Sequence, residues 1–211
     1  MTRAVGILAA AAMILLFAAL MIVVMPAIQL QAAAKAPDGL EPYSAQAARG
    51  REVYVSLGCV YCHSQQPRDP SVAPDMARGW GRPAVPADYS YDAPHLLGTM
   101  RTGPDLFNIG ARQPSQDWHL THLYNPRAVM PGSTMPSFPF LFDEKVNAEV
   151  GGNDVVVKLP PDYAAPAGRT LVAGPEALAL VQYLLELDHT YEVDDIPVRQ
   201  ASAPGATGEG D

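Results

Sequence analysis

Charge is scarce at the start of this chain, and cysteine is scarce throughout. Arg3 is the only charged side chain before Lys35, and the run Ile7 to Val24 is apolar without a break. That excludes an ordinary solvated helix there, and the run is long enough to cross a bilayer. Basic residues are few: 14 Lys and Arg face 22 Asp and Glu, a formal net charge of -8. Beyond the apolar run the balance is 13 against 22, or -9. Such a surface makes nucleic acid a poor partner and favours basic patches on another protein. Two cysteines in 211 residues exclude a disulfide-dense scaffold and a four-cysteine zinc site. Proline and glycine, by contrast, are plentiful at 21 and 17, so much of the backbone is expected in loops and turns. A loop-rich domain with few apolar helices needs something to pack around, and a buried cofactor supplies such a core.

Arg3 and the N-terminal amine precede the apolar run, which by the positive-inside rule holds the N-terminus in the cytoplasm and sends the rest of the chain out. A cleaved signal peptide is the competing reading, since Ala32 to Ala34 supply small residues, but the run exceeds the roughly 7–15 residues usual for one. The expected organisation is a transmembrane anchor at 1–30, a linker at 31–43, a single domain at 44–191 and a disordered tail at 192–211.

The two cysteines stand in Gly58-Cys59-Val60-Tyr61-Cys62-His63, the C-x-x-C-H signature of covalent heme attachment. Each thiol adds to one heme vinyl group, and the adjacent histidine sits beneath the iron. A plain disulfide does not require His63, a thioredoxin-like redox pair is expected beside a βαβ pattern that is missing here, and a zinc site lacks further ligands. One covalent heme c is therefore expected, on Cys59, Cys62 and His63.

Three helices are predicted around this motif. Ser44 caps one that runs to Leu57, with Val53, Tyr54 and Leu57 on one face and Gly58 ending it. Pro175 opens another that reaches Asp188 with a broad apolar face, and Ser115 opens a short one that closes at Tyr124 before Asn125-Pro126. The fold class is thus all-α and loop-rich. A methionine sixth ligand suits electron transfer, because it raises the potential and closes the iron. Met135 and Met130 both precede proline, with Met76 and Met100 further alternatives, while His95, His119 and His122 would give a bis-histidine iron. Arg101, Trp118, Tyr124 and Arg127 are candidates to bond the heme carboxylates.

Several blocks resemble cytochromes c. In those proteins the first and last helices cross beside the heme, which here implies Gly50 or Tyr54 facing Tyr183. Arg101-Thr102-Gly103-Pro104-Asp105-Leu106 resembles their Gly-Pro-x-Leu segment, implying that the Pro104 carbonyl accepts the second ring N–H of His63. Met135-Pro136-Ser137-Phe138-Pro139 resembles their distal loop, implying Met135 as the sixth ligand. In order, and with Asp117-Trp118-His119 and His122-Leu123-Tyr124-Asn125-Pro126-Arg127, these blocks resemble the monoheme subunit II of cbb3-type cytochrome c oxidases from about Gly50 to Phe142. That resemblance implies a single-pass protein of the bacterial inner membrane with its heme domain in the periplasm. It would pass electrons to the catalytic subunit of a heme-copper oxidase in aerobic respiration, beside other cytochrome c subunits, and would not be catalytic by itself. The anchored monoheme subunit of a nitric oxide reductase is the neighbouring alternative. Residues 143–174 depart from the resemblance and are expected to form a surface hairpin.

Overall fold

The computed structural model describes residues 2–33 and 35–193. Its N-terminus is one helical run: α1 (Thr2–Ala19), a π-helical turn (Leu20–Val24) and α2 (Met25–Ala33). Proline explains the widened turn. Pro26 has no N–H to give and its ring crowds the carbonyl four residues back, and the run absorbs this by letting the Met25 N–H bond Leu20 O, five residues back. The span Arg3–Gln29 is 27 residues, apolar and unburied, long enough to cross a membrane. The helix passes the expected boundary at 30, where alanines favour its continuation. Of the expected tail at 192–211, the part from 194 onward lies outside the described residues.

The domain is built on the crossing of α3 (Ala45–Ser56) and α6 (Pro175–Glu186). Ser44 caps α3 by accepting the Ala47 N–H at 3.1 Å. Gly58, at φ +72°, ends that segment in the left-handed conformation. Both expected facing residues lie at the crossing, in different roles. Tyr54 meets Tyr183 edge to face with centroids 5.5 Å apart, whereas Gly50 lies on the Ala179 and Leu180 backbone, where a Cβ would overlap the Ala179 carbonyl. The Tyr183 hydroxyl is satisfied by the Gln65 side-chain amide at 3.0 Å. The short helix α4 (Ile109–Arg112) packs on α6 through Gly110, and α5 (Gln116–Tyr124) is capped by Ser115, which accepts the Trp118 N–H at 3.2 Å. Leu106, Leu120, Leu123, Leu180, Val181 and Leu184 join these helices in one apolar cluster.

Between the heme motif and α4 the chain has almost no regular structure, and buried carboxylates take over the work of secondary structure. Asp105 is fully buried and accepts from Ser64 Oγ at 2.6 Å, Gln66 N at 2.8 Å and Phe107 N at 2.9 Å. Asp75, also fully buried, accepts from Arg68 N at 2.9 Å and pairs with Arg101 at 2.8 Å. Asp88 pairs with Arg82 at 2.6 Å and accepts from the Tyr191 hydroxyl at 2.8 Å, tying the segment after α6 to this loop.

The expectation of an all-α domain needs correction. The hairpin expected in 143–174 is present as β1 (Phe142–Val146) antiparallel to β2 (Arg169–Ala173), in the register Phe142↔Ala173 to Val146↔Arg169. Val155 to Val157 lie against the other side of β2, with Val157 N to Leu171 O and Ala173 N to Val155 O both at 2.9 Å. β-Branched residues favour the extended sheet, and buried Val157 and Leu171 join the apolar cluster. The domain is helix-rich with a small sheet.

Candidate functional site

The end of α3 presents the Cys-x-x-Cys-His motif as a tight turn. Cys59–Tyr61 form a 3-10 turn, and the Cys62 and His63 N–H groups both bond Cys59 O, at 3.1 and 3.0 Å. Both cysteines are free thiols; Cys62 is exposed and Cys59 half-buried. Burial pushes the Cys59 thiol up to about 11, with Cys62 nearby adding to the effect.

His63 is positioned by the segment that follows the loop. The Gly103 N–H bonds Cys62 O at 3.0 Å, and Leu106 N bonds Ser64 O at 2.8 Å, which lays Gly103-Pro104 alongside the motif. There Pro104 O accepts the His63 Nδ1–H at 2.7 Å. The carbonyl thus fixes the tautomer and leaves Nε2 as the nitrogen with a free lone pair. Burial keeps the imidazole below its usual value, and therefore neutral, against the opposing pull of Pro104 O and Asp105. Gly103 is a residue to which sequence reasoning gave no role: a Cβ there would overlap the Cε1 edge of the His63 ring. Its signal was the Gly of the Gly-Pro-x-Leu segment, which was read only for the Pro104 carbonyl.

α5 borders the distal loop. Trp118 stacks flat on His122 with centroids 4.6 Å apart and planes 9° off parallel. On the far side Phe138 N bonds Leu123 O at 2.9 Å, and Arg127 Nη2 donates to Met135 O at 3.2 Å. Of the methionines considered, Met135 is packed against the apolar cluster, whereas Met76, Met100 and Met130 are 43%, 54% and 53% exposed. Tyr124 is half-buried, edge to face with Phe142 at 5.4 Å. Arg127 is exposed.

Arg101 is occupied elsewhere. Its guanidinium donates to Ser64 Oγ at 3.0 Å and Gln66 O at 2.7 Å and pairs with Asp75, with Asp105 at 3.8 Å. These partners hold the guanidinium in place. His119 is likewise spent, its Nε2–H going to Gln113 O at 2.8 Å, and His95 is exposed.

A small domain whose Cys-x-x-Cys-His turn is braced by a Gly-Pro carbonyl, carried behind an apolar helix, has the form of an anchored cytochrome. The family model described as cytochrome c oxidase, mono-heme subunit/FixO, matches residues 1–160, and the chain belongs to that family. The match takes in the apolar helix, the heme motif and the distal loop, and stops before β2 and α6. A search of curated proteins finds no match.

Proposed function

We propose that the chain is a membrane-anchored, single-heme c-type cytochrome that delivers electrons one at a time to the catalytic subunit of a heme-copper oxidase in aerobic respiration. The observation that carries this reading is His63: in a mono-heme family member, its Nδ1–H is held on Pro104 O at 2.7 Å, next to two free thiols, with Nε2 left to bind a metal. The donor set fits heme. Cys59 and Cys62 would form the thioethers, His63 and Met135 would be the axial ligands, and Gly103 keeps the imidazole's place clear. When bound, heme c supplies an iron that takes up and releases one electron. Pro104 O and Gly103 fix the His63 imidazole that would bind it. Trp118, Tyr124 and Arg127 remain as donors toward the heme carboxylates, while Arg101 belongs to the buried ion cluster behind the motif.

The anchor is read as a single pass through the bacterial inner membrane, with Arg3 on the cytoplasmic side and the heme domain in the periplasm. Within the membrane it would lie beside the catalytic subunit and further cytochrome c subunits.

Heme staining of the membrane protein on a denaturing gel tests the attachment. The wild type should stain at the mass of this chain, and the Cys59→Ser, Cys62→Ser double variant should not. An unstained wild type would overturn the reading.

A further inference from the structure

Two side chains of opposite charge, Asp105 and Arg112, brace the segment that orients His63, and neither belongs to the donor set proposed above. Asp105 directly follows Pro104, whose carbonyl takes the His63 Nδ1–H at 2.7 Å, and its Oδ2 accepts at 2.6 Å from Ser64 Oγ, the residue directly after His63. The carboxylate therefore clamps together the two segments that meet at the imidazole. It is fully buried, and Gln66 N and Phe107 N donate to it at 2.8 and 2.9 Å. Its charge is weakly matched, because Arg101 pairs with Asp75 at 2.8 Å and stands 3.8 Å from Asp105.

Arg112 reaches the same segment from α4, which is seated on α6 at Gly110, where a Cβ would overlap the Leu185 carbonyl. Its Nη2 donates to Asp105 O, and its Nε is buried without a hydrogen-bond partner. That carbonyl belongs to the peptide unit whose N–H, on Leu106, bonds Ser64 O at 2.8 Å. Arg112 and the heme motif thus hold the two ends of one peptide unit. Beyond burial and Pro104 O, the two side chains act on the imidazole in opposite senses: Asp105 favours added positive charge there and Arg112 opposes it.

We propose that Asp105 and Arg112 are opposed positioning residues for the proximal imidazole, and that together they set the heme's reduction potential, Asp105 holding it down and Arg112 holding it up. This rests on the heme reading above and deepens it. With iron on His63 Nε2, a carboxylate fixed behind the imidazole favours the extra positive charge of the oxidised state, and a guanidinium disfavours it. The hydrogen bonds that orient the ring also hold both charges at fixed distances from it, in surroundings that screen them little.

The test is redox titration of the full heme-loaded chain in mild detergent, as wild type, Asp105→Asn, Arg112→Gln and Arg112→Lys. Heme staining comes first: an unstained wild type would overturn the heme reading and this proposal with it, whereas a stained protein tests the proposal alone. Asp105→Asn should shift the reduction equilibrium toward the reduced form and Arg112→Gln toward the oxidised form. Each shift should be about three- to tenfold, tenfold being about 59 mV for one electron. Arg112→Lys, which keeps the charge, should return most of the wild-type potential, and the axial-ligand absorption should stay that of the wild type throughout. A merely structural role would loosen the imidazole in both charge-removing variants and move the potential in one direction. Should Asp105→Asn fold poorly, the comparison of Arg112→Gln with Arg112→Lys carries the test. Shifts of the same sign, unchanged potentials in heme-loaded variants, or an Arg112→Lys protein that behaves like Arg112→Gln would overturn the proposal.

Discussion

Gly103→Ala is the smallest change that reaches the proposed heme site. The new Cβ would overlap His63 Cε1 and crowd Nδ1 and Nε2, so either the imidazole or the Gly103-Pro104 segment must move. Neither is free to do so. The segment is pinned by Gly103 N to Cys62 O at 3.0 Å and Leu106 N to Ser64 O at 2.8 Å, and the ring by Pro104 O at 2.7 Å. Overpacking costs about 1–3 kcal/mol. Losing the His63 to Pro104 bond adds about 0.5–1.5 kcal/mol. A total of about 2–4 kcal/mol lowers Tm by about 4–16 °C for a domain of this size. Iron ligation should suffer too, since the imidazole loses the carbonyl that orients it. Thermal unfolding followed at the heme absorption band, with the spectrum of the reduced protein recorded alongside, measures both effects. A Gly103→Ala protein with wild-type Tm and spectrum would refute the claim that this glycine exists to admit the imidazole.

Met135→Ala should leave heme attached but open the iron, so that the reduced variant binds carbon monoxide where the wild type binds little; a difference spectrum shows it, and equal binding would move the ligand elsewhere. Arg101→Met strips the charge partner from Asp75 and Asp105, both fully buried, and should cost about 3–5 kcal/mol in urea unfolding, with part of the loss recovered on adding Asp75→Asn. His189 is buried, stacked on Phe107 at 3.9 Å, and burial lowers its pKa. Its stabilising effect is therefore full above the unfolded value of about 6.5 and is lost as pH falls below that. The stability gap between wild type and His189→Gln should accordingly narrow from pH 7 to pH 5, by at most about 1.4 kcal/mol per pH unit, and a widening gap would contradict the assignment.

What could be read in advance followed local rules. Ser44, Ser115 and Gly58 announce helix ends because capping depends on neighbours in sequence, and the structure places them there. The resemblance to cytochromes c implied the crossing partners of α3 and α6, though not their division of labour, in which Tyr54 takes the ring contact and Gly50 the backbone contact. The loop from Ser64 to Asn108 gave no such signal. It is held by buried aspartates bonding backbone N–H groups and arginines remote in sequence, and such a network has no period to detect. The pairing of Arg101 with Asp75 belongs to that network and left no mark in the sequence around the motif. The small sheet was visible as a hairpin in Asp143 to Gly174, but the third segment at Val155 to Val157 depends on a long-range pairing.

The central claim is electron delivery from a single heme c to an oxidase, and its most direct test is a heme and metal inventory of the native complex extracted in mild detergent. The account predicts that this chain co-purifies with heme c, heme b and copper. Heme c and heme b with non-heme iron and no copper would place it in a nitric oxide reductase instead, and a complex without covalent heme on this chain would contradict the account altogether.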